Sequence, residues 1–270
     1  MPEAPEVQTV LSTLETQIKD VSIEDVLIYY PKIIDNVEVE TFKNQLIGQT
    51  FHSFNRLGKY LIFGLDDYDL VVHLRMEGKF YLYNMLCENK HIHIVFKLNS
   101  GTYMSYHDTR KFGRMIVKNE SELFSTKPLN KLALDANDPT FTKETLHIRL
   151  KGRKIPIKEA LLNQEIIAGL GNIYVDEVLF ASRISPLREA CDVSCTECGI
   201  ILEESRKILN KAISYKGTTI RSYTSSLGVI GEFQNFLCVH TKEICPICKG
   251  EITKTRISGR GTYYCARCQK

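Results

Sequence analysis

The chain has 270 residues, of which 43% are apolar and 25% charged, as in globular proteins that bury a sizeable core. No stretch approaches the roughly 18 consecutive apolar residues of a membrane helix, and the acidic N-terminus lacks the apolar core of a secretory signal, so we expect an intracellular protein. The net charge is only +3, but residues 242–270 hold seven basic and two acidic residues, a local +5 that favours a polyanionic partner.

Helical and extended patterns alternate along the chain. Apolar residues from Val7 to Ile18 recur at helical spacing, with Pro5 near the first turn, and predict an N-terminal helix. From about Val21 to Lys118, short apolar runs between Gly, Asn and Asp predict strands at 61–65, 70–74, 80–83 and 92–98. From about Asn137 the helical period returns and predicts helices at 155–164, 173–182 and 203–215, followed by a loop over 217–231.

Nine cysteines in an intracellular chain favour free thiols and metal sites over disulfides. The pairs Cys245-Pro-Ile-Cys248 and Cys265-Ala-Arg-Cys268, which are 16 residues apart, predict one structural Zn²⁺ with four thiolate ligands. Residues 252–264 between the pairs read as a β-hairpin with Arg260 at its tip, where it can reach a groove or a phosphate. The further CxxC at residues 195–198 has no second pair, and we interpret it as incidental.

The N-terminus suggests a nucleophile. Pro2 is small enough to permit removal of Met1, and the resulting secondary amine could attack a sugar C1′ and form an iminium ion. An α-amine has a pKa of about 8, and the start of a helix would lower it. Glu3 could supply a proton, with Glu6 as its partner. Taken alone, these residues are more typical of a capped helix than of a nucleophile, so the hypothesis depends on further motifs.

Six segments together resemble the formamidopyrimidine-DNA glycosylase and endonuclease VIII family. They cover nearly the whole chain in the family's order, which makes the combination far more specific than any single motif. The segments are Met1-Pro2-Glu3-Ala4-Pro5-Glu6-Val7, Gly58-Lys59-Tyr60-Leu61, His73-Leu74-Arg75-Met76-Glu77-Gly78, Asp108-Thr109-Arg110-Lys111-Phe112-Gly113, Gln164 through Glu177, and Gly259-Arg260-Gly261-Thr262.

The resemblance implies an α+β, multi-domain clamp around damaged double-stranded DNA. We expect a catalytic β-sandwich domain over 1–130, a helix–two-turn–helix domain over 131–232 and a zinc finger over 233–270. The implied activity is that of a monomeric, bacterial, nucleoid-associated base-excision repair enzyme, which removes oxidised purines such as 8-oxoguanine and formamidopyrimidines. By resemblance, Pro2 is the Schiff-base nucleophile, Glu3 the proton donor, and Lys59 and Arg260 assist β,δ-elimination.

The resemblance also assigns DNA contacts. Met76, Arg110 and Phe112 resemble the residues that fill the gap left by a flipped base, where Met and Phe wedge into the stack and Arg pairs with the orphaned base. Asn172 would cap a helix whose N-terminus binds phosphate. The residues that resemble contacts to the DNA backbone are His91, Arg153 and Lys158. The lesion pocket falls on Glu77, Thr218, Ile220, Arg221, Ser222 and Tyr223.

Three segments depart from the usual family pattern, at 132–139, at His240-Thr241-Lys242 in place of Tyr-Gly-Arg, and at the apolar segment 225–231. The last leaves substrate preference open. One alternative function is the same chemistry on oxidised pyrimidines; the intact residues Met76, Arg110 and Phe112 favour purines. Another alternative is a zinc-ribbon DNA-binding protein without activity, which would have no need of Pro2 and Lys59.

Overall fold

The computed structural model describes residues 1–218 and 231–270. These residues divide into two compact units. The N-terminal unit comprises Met1–Asn130 and the described part of Lys216–Gly231, and the C-terminal unit comprises Lys131–Tyr215 and Glu232–Lys270. Within these described ranges, no helix has both the length and the hydropathy needed to cross a membrane.

In its described residues, the N-terminal unit contains two four-stranded antiparallel sheets and two α-helices. One sheet has the order β1-β6-β7-β5 and the other β2-β3-β4-β8. The elements are α1 Ala4–Ile18, β1 Ile23–Ile28, α2 Val39–Leu46, β2 Ser53–Leu57, β3 Tyr60–Gly64, β4 Tyr68–His73, β5 Lys79–Tyr83, β6 Ile92–Leu98, β7 Tyr103–His107 and β8 Arg114–Asn119.

Both sheets and α1 contribute to one hydrophobic core. Alternate residues of β3, Leu61 and Phe63, point into this core, and Phe96 of β6 and Met104 of β7 enter it from the other sheet. The alternation follows from the two-residue period of a strand. The apolar residues whose spacing predicted α1 are all in this core: Val7, Val10, Leu11, Leu14 and Ile18. The predicted sandwich-like architecture is therefore confirmed.

The four predicted strands are present, with boundaries that shift by up to two residues. Strands β1, β2, β7 and β8 and the helix α2 were not predicted from the sequence. Arg114 and Lys118 lie on one face of β8, but Ile116 between them on the same face is apolar. The sequence therefore lacks the strict alternation that predicts a strand. Helix α2 has eight residues and buries only Phe42 and Leu46, too few for a clear helical period.

The C-terminal unit packs four helices and a β-hairpin around its own cores. The elements are α3 Lys143–Leu150, α4 Ile157–Leu162, α5 Asn172–Ala181, α6 Cys195–Ser214, β9 Thr253–Ile257 and β10 Arg260–Tyr264. The sequence analysis missed α3 and began α6 eight residues late, at 203. The overlooked signal is a capping box, in which Ser194 Oγ accepts a hydrogen bond from the Glu197 backbone N–H and Glu197 Oε2 accepts one from the Ser194 backbone N–H.

We expect the Glu197 carboxylate to make the stability of the C-terminal unit depend on pH. Its bidentate hydrogen bonds with Arg188, at 2.6 and 2.7 Å, are the main cause that lowers the pKa of Glu197 from 4.5 to about 2. Because the folded pKa lies below the ordinary value, this stabilisation is complete above about pH 4.5 and is lost as the pH falls towards 2.

Glu197→Gln should therefore lower the free energy of unfolding by about 1–2 kcal/mol at pH 7, and the difference from the wild type should shrink at pH 3.5. Urea titrations at both pH values measure this difference. Glu203→Gln serves as the control. It removes an exposed carboxylate of the same helix, whose ion pair with Lys207 is worth about 0.5 kcal/mol or less, so its effect should be smaller than that of Glu197→Gln. A Glu197→Gln difference that is the same at both pH values would contradict the assignment.

Candidate active site and DNA-contacting surfaces

The N-terminus leads directly into α1. Pro2 is buried, whereas the side of the chain occupied by Met1 is open, since Met1 is 40% exposed. The Glu3 backbone N–H donates to Glu6 Oε2 at 2.8 Å, which fixes the first turn of the helix. Removal of Met1 would therefore uncover the Pro2 nitrogen on the open side while the helix start stays in place.

Charged groups surround the N-terminal amine. Burial is the main cause that lowers the pKa of the Met1 amine, Lys59 lowers it further, and Glu3, Glu6 and Glu77 act in the opposite direction. A lowered pKa increases the neutral, nucleophilic fraction of the amine near neutral pH.

Lys59 lies in the two-residue turn between β2 and β3. Gly58 precedes it with φ +58°, a conformation that glycine adopts at low cost in tight hairpin turns. Arg56 Nη1 donates to the Gly58 carbonyl at 2.7 Å, and Arg56 Nε donates to Gln8 Oε1 of α1 at 3.2 Å. The turn that carries Lys59 is thus attached to the helix that follows Pro2, and Lys59 itself is only 5% exposed.

His73, which the sequence analysis did not assign to the site, lies next to these groups. It ends β4, pairs with Tyr60 across the sheet and contacts the Tyr60 ring edge-on with centroids 4.5 Å apart. Burial, assisted by Arg75 and Lys59, lowers the pKa of His73 to about 3, so its imidazole is neutral at physiological pH. In the sequence, the feature that could have indicated this position of His73 is its place as the first residue of the motif His73–Gly78.

The Asp108 carboxylate organises the loop that carries Arg110 and Phe112. Its Oδ1 accepts from the Arg110 N–H at 2.9 Å, and its Oδ2 accepts from the N–H groups of Phe112 and Gly113 at 2.9 and 2.8 Å. The Arg110 guanidinium stacks 4.8 Å from the centroid of the Phe112 ring, which is 48% exposed. The loop therefore presents a preformed Arg–Phe pair to solvent.

The loop with Met76 and Glu77 joins the Asp108 loop. A hydrogen bond runs from Thr109 Oγ1 to Glu77 Oε2. Gly78 and Gly113 both pack against the buried Tyr106 hydroxyl, where an added Cβ would come within 2.2 and 1.7 Å of the oxygen. These glycines are explained by close packing, and neither needs a positive φ. The half-buried Met76 thus lies on the same surface as the Arg–Phe pair.

His91 and Thr218 contact other parts of this unit. The His91 carbonyl accepts from the Asp108 N–H at 3.0 Å, which places His91 beside the loop of Arg110. Thr218 is buried, and its N–H and Oγ1 donate to Glu6 Oε1 at 2.7 and 3.0 Å. The other residues assigned to the lesion pocket, Ile220, Arg221, Ser222 and Tyr223, lie outside the described residues.

Arg260 lies in the C-terminal unit, at the hairpin of β9 and β10. The sequence analysis placed Arg260 at the hairpin tip, but the turn consists of Ser258 and Gly259, with φ +47° and +76°, and Arg260 begins the returning strand opposite Ile257. Two consecutive positive φ angles are typical of the type I′ turn, whose twist matches that of the strands. Arg260 remains exposed beside the turn.

Two of the predicted DNA contacts face inward, towards this hairpin. Lys158 is fully buried and donates to Asp176 Oδ1 at 2.7 Å and to the Gly261 carbonyl at 2.9 Å, so its ammonium is not presented to a phosphate. Asn172 was predicted to cap α5, but the cap residue is Gly171 and Asn172 is the first helical residue. Its Nδ2 also donates to the Gly261 carbonyl, at 3.0 Å. Arg153 is exposed between α3 and α4, as a backbone contact requires.

The four zinc-finger cysteines fit one tetrahedral metal. Their sulfur atoms all lie within 4.8 Å of one another, with Cys245–Cys268 at 3.8 Å and Cys248–Cys265 at 3.5 Å. A tetrahedral Zn²⁺ with bonds of about 2.3 Å requires sulfur–sulfur distances of about 3.8 Å. The fit confirms the predicted structural zinc, which would occupy a closed site without an open position for substrate.

Three family models match the chain in the order that the motifs predicted. They are the formamidopyrimidine-DNA glycosylase N-terminal domain at residues 1–115, the H2TH domain of the same glycosylases at 132–224, and the "zinc finger found in FPG and IleRS" at 242–270. The chain belongs to the formamidopyrimidine-DNA glycosylase family. It is therefore a zinc-finger DNA glycosylase of base excision repair.

Curated relatives and solved structures agree over the whole chain. The glycosylases of Ureaplasma parvum and Bacillus cereus are 41% and 43% identical to it, and the alignments cover 100% of this chain and 100% and 99% of those proteins. A mutant Lactococcus lactis enzyme bound to a Fapy-dG-containing DNA is similar with a TM-score of 0.93 and 36% identity, covering 100% of both chains. MutM bound to a carbocyclic 8-oxo-G-containing DNA is similar with a TM-score of 0.92.

Gly113→Ala should disturb the surface that carries Arg110 and Phe112. The new methyl group would overlap the Tyr106 hydroxyl, and we expect a loss of about 1–3 kcal/mol in stability, measured by urea unfolding, together with weaker DNA binding. Tyr106→Phe in the same background should recover part of the loss, because it removes the overlapping oxygen. Gly199→Ala in α6 is the control, since its methyl would meet only a flexible lysine. Equal tolerance of both glycine substitutions would contradict this packing.

Removal of the zinc should unfold the hairpin. Cys248→Ser leaves three thiolates, and we expect bound zinc, measured by atomic absorption, to fall from about one ion per chain towards zero and DNA affinity to fall with it. Cys87→Ser, outside the cysteine cluster, should keep the zinc. A Cys248→Ser protein with full zinc content and normal DNA affinity would show that the cluster is not the site.

Proposed function

We propose that this glycosylase excises oxidised purines through an iminium ion on Pro2 and then cuts the strand by β,δ-elimination. The observation that carries the proposal is the place of the N-terminus. The Met1 amine, one residue before Pro2, lies among Glu3, Glu6, Lys59 and Glu77, and burial lowers the pKa of this amine. The Glu3 N–H, which follows Pro2, is held by Glu6 Oε2 at 2.8 Å. An amine attacks a sugar carbon only in its neutral form. A solvent-exposed lysine, with a pKa of about 10.4, is almost wholly protonated near pH 7 and would be a poor nucleophile.

The first step replaces the base. The Pro2 nitrogen lone pair forms a bond to C1′ while the glycosidic bond breaks, and its electrons leave with the base. Glu3 protonates either the ring oxygen or the departing base. The proton that the Pro2 amine loses neutralises the other of these two groups as the C1′–O4′ bond opens to give the iminium. General acid catalysis of this kind contributes about 10²–10⁴-fold to a rate.

The second step cleaves the strand. The iminium draws electrons from the C2′–H bond, so that loss of this proton expels the 3′ phosphate, and a second proton loss expels the 5′ phosphate. Lys59 and Arg260 are the cations that we assign to the departing phosphates, because fixed positive groups stabilise the charge that develops there.

The substrate that we propose is double-stranded DNA with an oxidised purine. The exposed Arg–Phe pair and Met76 suit the gap left in double-stranded DNA by a flipped nucleotide. The similar structures contain DNA with Fapy-dG, 8-oxo-G or an abasic site, which supports purine lesions and supports lyase chemistry after base loss. We propose that the enzyme acts as a monomer on nucleoid DNA.

Glu3→Gln should separate the two steps. On a duplex with 8-oxoguanine opposite cytosine, base release should slow by about 10²–10⁴-fold, because the proton donor is lost. On a preformed abasic site, which has no base to release, strand cleavage should slow far less. Lys59→Met should do the opposite: strand cleavage at the abasic site should slow more than base release from the 8-oxoguanine duplex. Denaturing gels of both substrates under single-turnover conditions measure the rates.

Two outcomes would contradict the proposal. Equal losses for Glu3→Gln on both substrates would rule out proton donation from Glu3 to the departing base. DNA binding without any cleavage, by a chain with Met1 removed and zinc bound, would favour the inactive zinc-ribbon alternative. A panel with oxidised pyrimidines tests the remaining alternative, in which those lesions are cleaved faster than purines.

A further inference from the structure

The hairpin that carries Arg260 is attached to the helices of its own unit on both sides of that residue. On one side, the Ser258 hydroxyl in the turn hydrogen-bonds to Glu159 of α4. On the other side, the Gly261 carbonyl accepts from the buried Lys158 ammonium at 2.9 Å. Since the flanking residues are held, the backbone position of Arg260 is fixed although its side chain is exposed.

The Asp176 carboxylate is the centre of this attachment. Its Oδ1 accepts from Lys158 Nζ at 2.7 Å, and its Oδ2 accepts from His240 Nδ1 at 2.8 Å and from the Tyr263 N–H of β10 at 3.2 Å. Neither Lys158 nor Asp176 is exposed at all, and His240 is only 7% exposed. One buried carboxylate therefore connects α4, the segment before the zinc finger, and the strand of Arg260.

Because Asp176 is buried, its ion pair with Lys158 depends on the hydrogen bonds that the carboxylate oxygens accept. A buried ion pair offsets its desolvation only when further hydrogen bonds satisfy the remaining lone pairs. The His240 imidazole supplies the side-chain donor for Oδ2, so that Oδ1 faces Lys158. Without it, the Tyr263 N–H at 3.2 Å is the remaining donor to Oδ2, and the carboxylate can rotate away from Lys158. Lys158 is one of two donors to the Gly261 carbonyl, the other being Asn172 Nδ2 at 3.0 Å.

We propose that His240 is a positioning residue for Arg260, acting through Asp176 and Lys158 on the backbone of the hairpin. The inference rests on the proposed role of Arg260 in strand cleavage. The observation that connects the two is the buried hydrogen bond between His240 Nδ1 and Asp176 Oδ2 at 2.8 Å, together with the bond from the Tyr263 N–H of the Arg260 strand to the same oxygen.

Two amide substitutions separate the hydrogen bond from the bulk of the side chain. H240N places its amide nitrogen close to the position of Nδ1, whereas H240Q places it near Nε2, beyond the reach of Asp176. H240F keeps a ring against Tyr263, which His240 contacts with centroids 4.9 Å apart, but has no donor. Zinc content and thermal unfolding of each variant show whether the fold is retained.

The rate to measure is single-turnover strand cleavage at a preformed abasic site by the full, zinc-loaded enzyme. We expect H240Q and H240F to slow it roughly three- to tenfold, as the loss of one hydrogen bond implies, and H240N to stay within about twofold of the wild type. In an Arg260→Gln background, H240Q should cause no further loss, because both changes affect the same group.

The possible outcomes separate this inference from the proposed function. If Arg260→Gln slows cleavage and H240Q does not, the inference is wrong and the role of Arg260 stands. Equal loss in H240N and H240Q, or losses that multiply in the Arg260→Gln background, would also overturn the inference. If Arg260→Gln itself leaves cleavage unchanged, the proposed role of Arg260 is wrong, and the inference fails with it.

Discussion

The buried carboxylate of Glu6 is the interaction on which the reactive end of the N-terminal unit depends. One oxygen accepts from the Glu3 N–H and fixes the start of α1, and the other accepts from Thr218, which is more than 200 residues away in the chain. Gly217 permits this contact, because a Cβ there would lie 2.6 Å from Glu6 Oε1. The same side chain thus fixes the backbone next to Pro2 and the residue that precedes the segment 219–230.

Buried carboxylates that accept backbone N–H groups recur at several of the segments that carry predicted site residues. Asp108 holds the loop of Arg110 with three such bonds, and Asp176 holds the strand of Arg260. Glu177 accepts from three consecutive N–H groups at 2.7–2.9 Å ahead of the zinc finger, although burial raises its pKa. A buried carboxylate is costly unless it is fully hydrogen-bonded, so each of these segments is restricted to one conformation. The exposed groups they carry are therefore preorganised before DNA binds.

The sequence predicted those features that depend on local pattern. The period of α1, the strands with continuous apolar runs and the spacing of the zinc cysteines all depend on neighbouring residues, and all are confirmed. Features that depend on distant contacts were missed or misread. Lys158 was assigned to a DNA-backbone contact, and its burial could not be predicted because its partners Asp176 and Gly261 are 18 and 103 residues away. His73 was overlooked, because its environment is created by β-pairing with Tyr60.

The central claim is that the Pro2 nitrogen forms the covalent bond to DNA. The most direct test is borohydride trapping on an 8-oxoguanine:cytosine duplex, followed by proteolysis and mass spectrometry of the cross-linked peptide. The account predicts a stable adduct on the peptide that begins at Pro2, and no adduct when an N-terminal extension precedes Pro2. An adduct on Lys59 or another lysine, or efficient trapping by the extended chain, would contradict it.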